Sequence, residues 1–169
     1  MIKKKSNSHT ETSLCVLTCG HGFYLNDNIY YGTTKVGTIT KRAFNGTCDA
    51  SFVLFDSEDN YTSLTNTSEE LSWSVPIVGS TVKQRGYVSG IVSGCSVLSN
   101  SFSYTSGVYT WKNLIRTNTA MQNGDSGGGF HCGYQDLGKT AKIVGIAHAA
   151  SSTSSLYIKG QVVSNALNS

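Results

Sequence analysis

QNGDSGGGF, residues 122–130, places Ser126 among four glycines and directly after Asp125. Glycine adopts backbone conformations that other residues avoid, so this segment predicts a tight turn that presents the serine hydroxyl and leaves backbone N–H groups free. A turn of this kind can hold a nucleophile. Taken alone, the segment fits an ordinary glycine-rich surface loop equally well, so the rest of the chain must decide between the two interpretations.

The composition of the 169-residue chain is that of an all-β globular protein. Hydrophobic residues make up 38% of it, which is enough to bury one core or two small ones. Proline occurs once, whereas glycine, serine, threonine, valine and tyrosine are plentiful, which favours short strands joined by turns. The formal net charge is +3 and only 14% of residues are charged, so we expect neither a nucleic acid nor a membrane as a partner.

Sequence features that bear on location point in two directions. No apolar run is long enough to cross a bilayer, and no secretory hydrophobic segment follows the lysines at positions 3–5. The five cysteines are an odd number without metal-ligand spacing, so at least one thiol is free or pairs outside the chain. N-glycosylation patterns begin at Asn45, Asn60 and Asn66. We expect a secreted protein, with a cytoplasmic location as the alternative.

A histidine and a second acid precede the serine at positions that suit a catalytic site. The apolar run Leu14–Cys19 predicts a buried strand that leads to His21, between two glycines. Asp49 opens the strongly apolar segment Ala50–Phe55, and a carboxylate buried there needs hydrogen-bond donors to stay charged. Either residue alone fits a structural role, and only their combination with Ser126 favours a catalytic one.

The order His21, Asp49, Ser126 is the order of the triad in chymotrypsin and differs from that in subtilisins and α/β-hydrolases. In such a triad the histidine takes the proton of the serine hydroxyl as general base and later returns it to the leaving group. The aspartate holds the imidazole in the useful tautomer. The backbone N–H groups of Gly124 and Ser126 would form an oxyanion hole, in which each donor contributes about 3–4 kcal/mol. This chemistry needs no metal or organic cofactor.

The chain resembles the chymotrypsin-fold serine peptidases, and most closely the bacterial streptogrisin and α-lytic protease branch. The serine block at 124–128 is identical to the signature of that family, and residues 16–21 are similar to its histidine block. Further similar segments follow in the family's order, at 78–86, 114–118 and 143–146. The resemblance covers nearly the whole chain.

An all-β fold of two antiparallel six-stranded barrels, with the active site between them, is what this resemblance implies. Residues 1–70 would form the N-terminal barrel with the histidine and acid of the triad, and residues 71–169 the C-terminal barrel with the serine. Apolar spacing predicts a short closing helix over Gln161–Leu167. Because the histidine lies so near the start, either the first strand is missing or Lys3–Thr12 forms a degenerate one.

Two departures from the family concern the supports of the triad. Family members bury the acid before the serine against a cation, and the arginine of the bacterial members falls on Gln84. Neighbouring Arg85 is therefore the predicted partner of Asp125. Gly22 stands where many members carry a disulfide-bonded cysteine, and Cys19 occupies their usual alanine position, so that disulfide is not carried over.

Four residues are predicted to border the substrate pocket. Ala120 stands where trypsin-like members carry the acid that selects basic side chains, so we expect a mid-sized apolar or an acidic preference. Ala149 and Ala150 replace glycines that let the substrate backbone approach. His148 falls where the family places a small residue, usually serine, that hydrogen-bonds the triad acid. It either supports Asp49, or lines the pocket and favours acidic side chains, or reflects a shifted alignment.

The resemblance therefore predicts a serine endopeptidase that acts on proteins or peptides through an acyl-enzyme, without a metal or cofactor and as a monomer. Two alternatives use the same scaffold. A catalytically inactive homologue would bind peptides or proteins in the same cleft, which the histidine at position 148 favours. An esterase-like hydrolase would need the triad but not the extended peptide cleft.

Overall fold

The computed structural model describes residues 2–4, 15–57, 70–71, 75–132 and 142–168. Within these ranges the chain forms twelve β-strands and one α-helix, as expected of an all-β, trypsin-like protein. The glycosylation patterns at Asn60 and Asn66 lie outside the described residues. No helix in the described ranges is long and apolar enough to span a membrane.

The N-terminal sheet has five strands in the spatial order β1-β2-β5-β4-β3, and every neighbouring pair is antiparallel. Its strands are β1 Ile2–Lys4, β2 Cys15–Thr18, β3 Asn28–Tyr31, β4 Thr34–Phe44 and β5 Asp49–Phe55. The pairing of β1 with β2 gives this sheet a first strand of three residues. Residues 5–12 of the segment considered for that strand lie outside the described residues.

The C-terminal sheet has seven strands in the order β10-β7-β8-β9-β12-β11-β6. Its strands are β6 Glu70–Leu71, β7 Thr81–Gly86, β8 Gly90–Ser106, β9 Tyr109–Thr117, β10 Gly129–Cys132, β11 Lys142–Ala150 and β12 Ser155–Lys159. Because β10 pairs with both β7 and β11, six of these strands close into the predicted barrel. Strand β6 adds to β11 in the parallel direction, so residue 70 already belongs to the second sheet.

Helix α1, Gly160–Asn168, follows the last strand and covers the segment predicted to be helical. Val163 and Leu167 on its inner face are buried in a core that also contains Leu17 from the first sheet and Ile146 and Ile158 from the second. Two smaller apolar clusters lie within the individual sheets. The largest core therefore joins the two sheets and the helix.

The hairpin of β8 and β9 connects the two sheets on the side of the candidate site. Tyr109 and Trp111 on β9 contact Phe44 at the end of β4, with ring centroids 5.2 and 5.3 Å apart. A side chain at Gly46 would meet the Tyr109 ring at 3.2 Å. The hairpin is thereby fixed against the strand ends that precede Asp49.

Candidate active site

Asp49 is fully buried at the start of β5. Its Oδ1 accepts hydrogen bonds from the backbone N–H groups of Gly20 at 2.6 Å and His21 at 2.7 Å. Its Oδ2 lies 2.6 Å from Nδ1 of His21 and 2.5 Å from Nδ1 of His148. Burial raises the pKa of Asp49, but the hydrogen bonds from the two imidazoles outweigh burial and hold the pKa below its usual range. The carboxylate therefore stays charged inside the protein.

His21 follows β2, and its side chain is 37% exposed. The close approach of Gly20 to the strand ends fixes its backbone, because a Cβ there would lie 2.7 Å from the carbonyl oxygen of Ala43. A carboxylate only accepts hydrogen bonds, so Nδ1 of His21 carries the hydrogen, and in the neutral ring Nε2 is an acceptor. The hydrogen bond to Asp49 raises the pKa of His21 above its ordinary value of 6.5. The ring is thus a strengthened base with its free nitrogen turned away from Asp49.

The serine turn lies against the end of β2. Gly124 and Gly127 have φ angles of 98° and 81°, which non-glycine residues rarely adopt. A Cβ at Gly127 would lie 2.6 Å from the backbone N of Cys19 and would also collide with the Thr18 hydroxyl. Only glycine fits there, and the contact brings the turn next to the segment that carries His21.

Ser126 itself is partly exposed. Among the described residues, no hydrogen bond joins its Oγ to the His21 ring, a bond that is often long in unliganded enzymes and shortens when substrate binds. The backbone N–H groups of Gly124 and Ser126 also donate to no other group of the described chain. Both predicted oxyanion donors therefore stay available to a ligand.

Asp125 is buried and accepts hydrogen bonds from four donors. These are the N–H groups of Val88 at 2.8 Å, Ser89 at 3.0 Å and Gln122 at 2.9 Å, and the Ser89 hydroxyl at 2.5 Å. Burial raises the pKa of Asp125, but these bonds reverse the shift and lower it. The predicted ion pair with Arg85 is absent from the described contacts of this carboxylate, because neutral donors fill its hydrogen-bonding positions.

His148 lies on β11, and its side chain is 6% exposed. Besides its bond to Asp49, its Nε2 lies 2.8 Å from the hydroxyl of Tyr104 on β8. The ring packs on Trp111 with the centroids 4.1 Å apart, and neighbouring Ala149 packs against the main core. Of the three interpretations of this histidine, the geometry favours support of Asp49.

The predicted pocket residues Ala120 and Ala150 lie on segments that are linked through Ser155. Ser155 pairs with Ala150 between β11 and β12. Its hydroxyl donates to the carbonyl of Thr119 at 2.6 Å and accepts from the N–H of Met121 at 2.7 Å, on the two sides of Ala120. Both alanines are thereby held near one another, while their role towards a substrate stays a prediction.

Sequence reasoning missed Tyr104 and Ser89. Tyr104 is hydrogen-bonded to His148, the partner of Asp49, and Ser89 donates directly to Asp125. Each is a single polar residue in a segment without a recognisable motif, and each reaches its partner only through a hairpin of the second sheet. The position of Ser89 three residues after Gly86 was a usable signal for a tight turn, but nothing in the sequence indicated that the turn faces Asp125.

The two histidines and Asp49 also satisfy the distance criterion for a metal site. One ligand atom from each of His21, Asp49 and His148 lies within 4.8 Å of the other two. In this arrangement Nδ1 of each histidine directs its hydrogen at the carboxylate, so the contacts are those of a hydrogen-bonded cluster.

No family model and no curated protein sequence matches the chain. Solved structures do match it. The Nocardiopsis protease superposes with a TM-score of 0.69 at 22% identity, covering 93% of this chain and 84% of that one. A glutamic acid specific serine protease, described as using a histidine triad in substrate binding, has a TM-score of 0.66 at 21% identity and coverages of 90% and 83%.

Thermobifida fusca protease A matches with a TM-score of 0.67 at 17% identity, covering 91% of this chain and 82% of that one. These neighbours are bacterial serine proteases, and identities at this level establish the shared architecture. The chain therefore has the chymotrypsin-type fold of the bacterial serine proteases.

Proposed function

We propose that the chain is a serine endopeptidase that hydrolyses peptide bonds through an acyl-enzyme. The observation that carries the proposal is the 2.6 Å hydrogen bond between buried Asp49 and Nδ1 of His21. The close approach of Gly127 to Cys19, directly after β2, supports it, because Cys19 is two residues before His21 and Gly127 directly follows Ser126. The structural likeness to serine proteases agrees with the same reaction class.

In the proposed reaction, Nε2 of His21 removes the proton from Ser126 as Oγ attacks the carbonyl carbon of the scissile bond. The imidazolium that forms is stabilised by Asp49, and the oxyanion lies against the N–H groups of Gly124 and Ser126. His21 then gives the proton to the leaving amine, and the acyl-enzyme remains. Water then attacks the acyl-enzyme, with His21 again acting as the base. The carboxylic acid product leaves, and Ser126 regains its proton.

A mid-sized apolar side chain is the proposed preference at the cleaved bond. Ala120 offers no charge to select a basic residue, as predicted from the sequence. The similarity to a glutamic acid specific protease raises the alternative of an acidic preference. His148 fits that alternative poorly, because both of its nitrogens are already hydrogen-bonded within the protein. Secretion stays a prediction.

A fluorophosphonate probe tests the nucleophile. We expect covalent labelling of the native chain and none of Ser126→Ala, because only an activated serine attacks the phosphorus. Ser93→Ala is the matched control, since this serine is exposed on β8 and its hydroxyl makes no hydrogen bond among the described residues. A folded native protein that refuses the probe, or a Ser126→Ala variant that still labels, would contradict the proposal.

One observation favours the inactive homologue as a second candidate, namely the missing hydrogen bond between Ser126 and His21 in the described structure. Turnover separates the candidates. Cleavage of an unfolded protein supports the endopeptidase, hydrolysis of a small activated ester alone supports an esterase, and peptide binding without either reaction supports the binding module.

A further inference from the structure

A second imidazole shares the carboxylate of the candidate triad. Oδ2 of Asp49 accepts from Nδ1 of His21 at 2.6 Å and from Nδ1 of His148 at 2.5 Å. The two rings meet edge to face, with centroids 6.3 Å apart. Beyond His148 the chain of hydrogen bonds continues to the hydroxyl of Tyr104 at 2.8 Å. Four side chains therefore form one line, from the free nitrogen of His21 to the half-buried tyrosine.

The hydrogen-bonding capacities of these groups fix where each proton lies. Because the carboxylate of Asp49 only accepts, Nδ1 of His148 must donate to it. Nε2 of a neutral imidazole is then an acceptor, so the hydroxyl of Tyr104 donates to it. Every nitrogen of His148 has a partner while the ring is neutral. Asp49 therefore sets the tautomer of His148, and the hydroxyl of Tyr104 is the partner that holds the opposite edge of the ring.

Packing prevents His148 from leaving this position. Its face lies on Trp111, whose own ring is wedged against Phe44 and Tyr109. The titratable groups that meet the ring are Asp49 from β5, His21 after β2 and Tyr104 from β8. Residues from β5, the segment after β2, β8 and β9 therefore hold the ring, and a buried side chain so held transmits its orientation to the carboxylate.

We propose that His148, anchored at its outer edge by Tyr104, is a positioning residue of the catalytic site. It holds Oδ2 of Asp49 in the orientation that directs Nε2 of His21 at Ser126. Its donated hydrogen also weakens the basicity of the carboxylate, so Asp49 raises the pKa of His21 less than it would alone. The inference rests on the proposed serine hydrolase function.

Two substitutions at position 148 separate the donor from the rest of the ring. His148→Leu fills similar space without a donor, whereas His148→Asn keeps an N–H group near the position of Nδ1. With His148→Leu we expect kcat to fall about 10- to 100-fold with KM unchanged, the loss that a hydrogen bond to a charged group produces. In the pH profile of kcat/KM, the acid limb should move to higher pH, because Asp49 then raises the pKa of His21 more strongly. His148→Asn should restore most of the lost rate and return the limb towards its native position.

Tyr104→Phe tests the outer end of the hydrogen-bonded chain that runs from His21 through Asp49 and His148 to Tyr104. We expect it to lower kcat about 3- to 10-fold in the native background, because Nε2 of His148 then loses its hydrogen-bond partner and the ring is held less firmly. In the His148→Asn background the same substitution should change nothing, since Nε2 is no longer there to accept. Equal effects of Tyr104→Phe in both backgrounds would overturn the role given to the tyrosine.

Nitrogen-15 NMR of the imidazoles in the full chain gives a readout that does not depend on turnover. We expect Nδ1 of His148 to carry its hydrogen in the native chain and in Tyr104→Phe alike, because the carboxylate of Asp49 only accepts. The Nε2 resonance should move in Tyr104→Phe, because that nitrogen loses the hydroxyl that donates to it. A native His148 in the Nε2–H form, or His148→Leu with an unmoved acid limb and native kcat, would overturn the inference. A chain that turns over no substrate but shows the expected tautomer refutes the proposed function and leaves the hydrogen-bonded arrangement standing.

Discussion

The hydrogen bond from His21 to Asp49 ties the expected activity to pH. General-base catalysis requires neutral His21, and Asp49 raises the pKa of that imidazole above 6.5. We therefore expect log kcat/KM to rise with unit slope as the pH increases, and to level off only above pH 6.5. In Asp49→Asn the limb should move to lower pH and the plateau should fall about 10⁴-fold. A native profile already flat below pH 6 would contradict the assignment of His21 as base.

Single residues differ in how far the sequence could predict them. The three triad candidates could be found because each has a local signature, namely a strand end between glycines for His21, an apolar strand start for Asp49 and a glycine turn for Ser126. The sequence aligned His148 with the small residue, usually serine, that hydrogen-bonds the triad acid in the family. It could not decide whether the imidazole itself contacts Asp49. That decision depends on Trp111 and Tyr104, which are distant in sequence and meet His148 only after the barrel closes.

At the scale of elements, the turn between β7 and β8 is the support of the serine turn. Two of its N–H groups and the Ser89 hydroxyl donate to Asp125, and a Cβ at Gly86 would collide with the same carboxylate. Val88 also meets the position of a Cβ at Gly124, at 2.8 Å. The turn therefore fixes both the buried acid and the glycine whose N–H is a predicted oxyanion donor.

Ser89→Ala tests this support. Loss of the 2.5 Å hydrogen bond to a buried carboxylate should lower kcat about tenfold and the free energy of unfolding by about 1–3 kcal/mol. Ser93→Ala, on the neighbouring strand, should leave both quantities unchanged. Arg85→Gln distinguishes the arginine from the neutral hydrogen-bond donors as the support of Asp125. If the neutral donors support this carboxylate, the variant should retain its kcat. A large loss of kcat in Arg85→Gln together with a native Ser89→Ala would restore the arginine to the role predicted from the sequence.

Strands β8 and β9 show why element boundaries were harder to predict than element types. The sequence shows only short apolar segments at 86–92 and 97–98 in this region, whereas β8 runs continuously over Gly90–Ser106. Its pairing with β9 changes register three times, between Val97 and Tyr104, so alternation along the strand is interrupted where the ladder shifts. Alternation of polar and apolar residues cannot reveal a strand in which each bulge moves the following side chains to the opposite face. Helix α1 has no such interruption, and its spacing predicted it correctly.

At the scale of the whole molecule, the main core belongs to both sheets. Leu17 and Ala50 from the first sheet lie in the same buried cluster as Ile158 from the second and Leu167 from the helix. Three cysteines of the described chain, at positions 19, 48 and 95, are free and buried, so the core is held there by packing rather than by cross-links. Sequence predicted two barrels from a family resemblance, but which side chains join them depends on contacts between segments more than a hundred residues apart.

A shared core predicts that the two sheets unfold together. Leu17→Ala and Ile158→Ala each remove a side chain that is only 1% exposed, one from each sheet, and each should lower the free energy of unfolding by about 2–5 kcal/mol. Leu98→Ala, at a side chain 47% exposed on β8, should change it by less than about 0.5 kcal/mol. Both core variants should keep a single denaturant transition by tryptophan fluorescence and by far-UV circular dichroism, shifted equally in the two probes. Two separate transitions, each shifted only by the substitution in its own sheet, would show instead that the barrels are independent units and that the catalytic residues are brought together by docking of preformed halves.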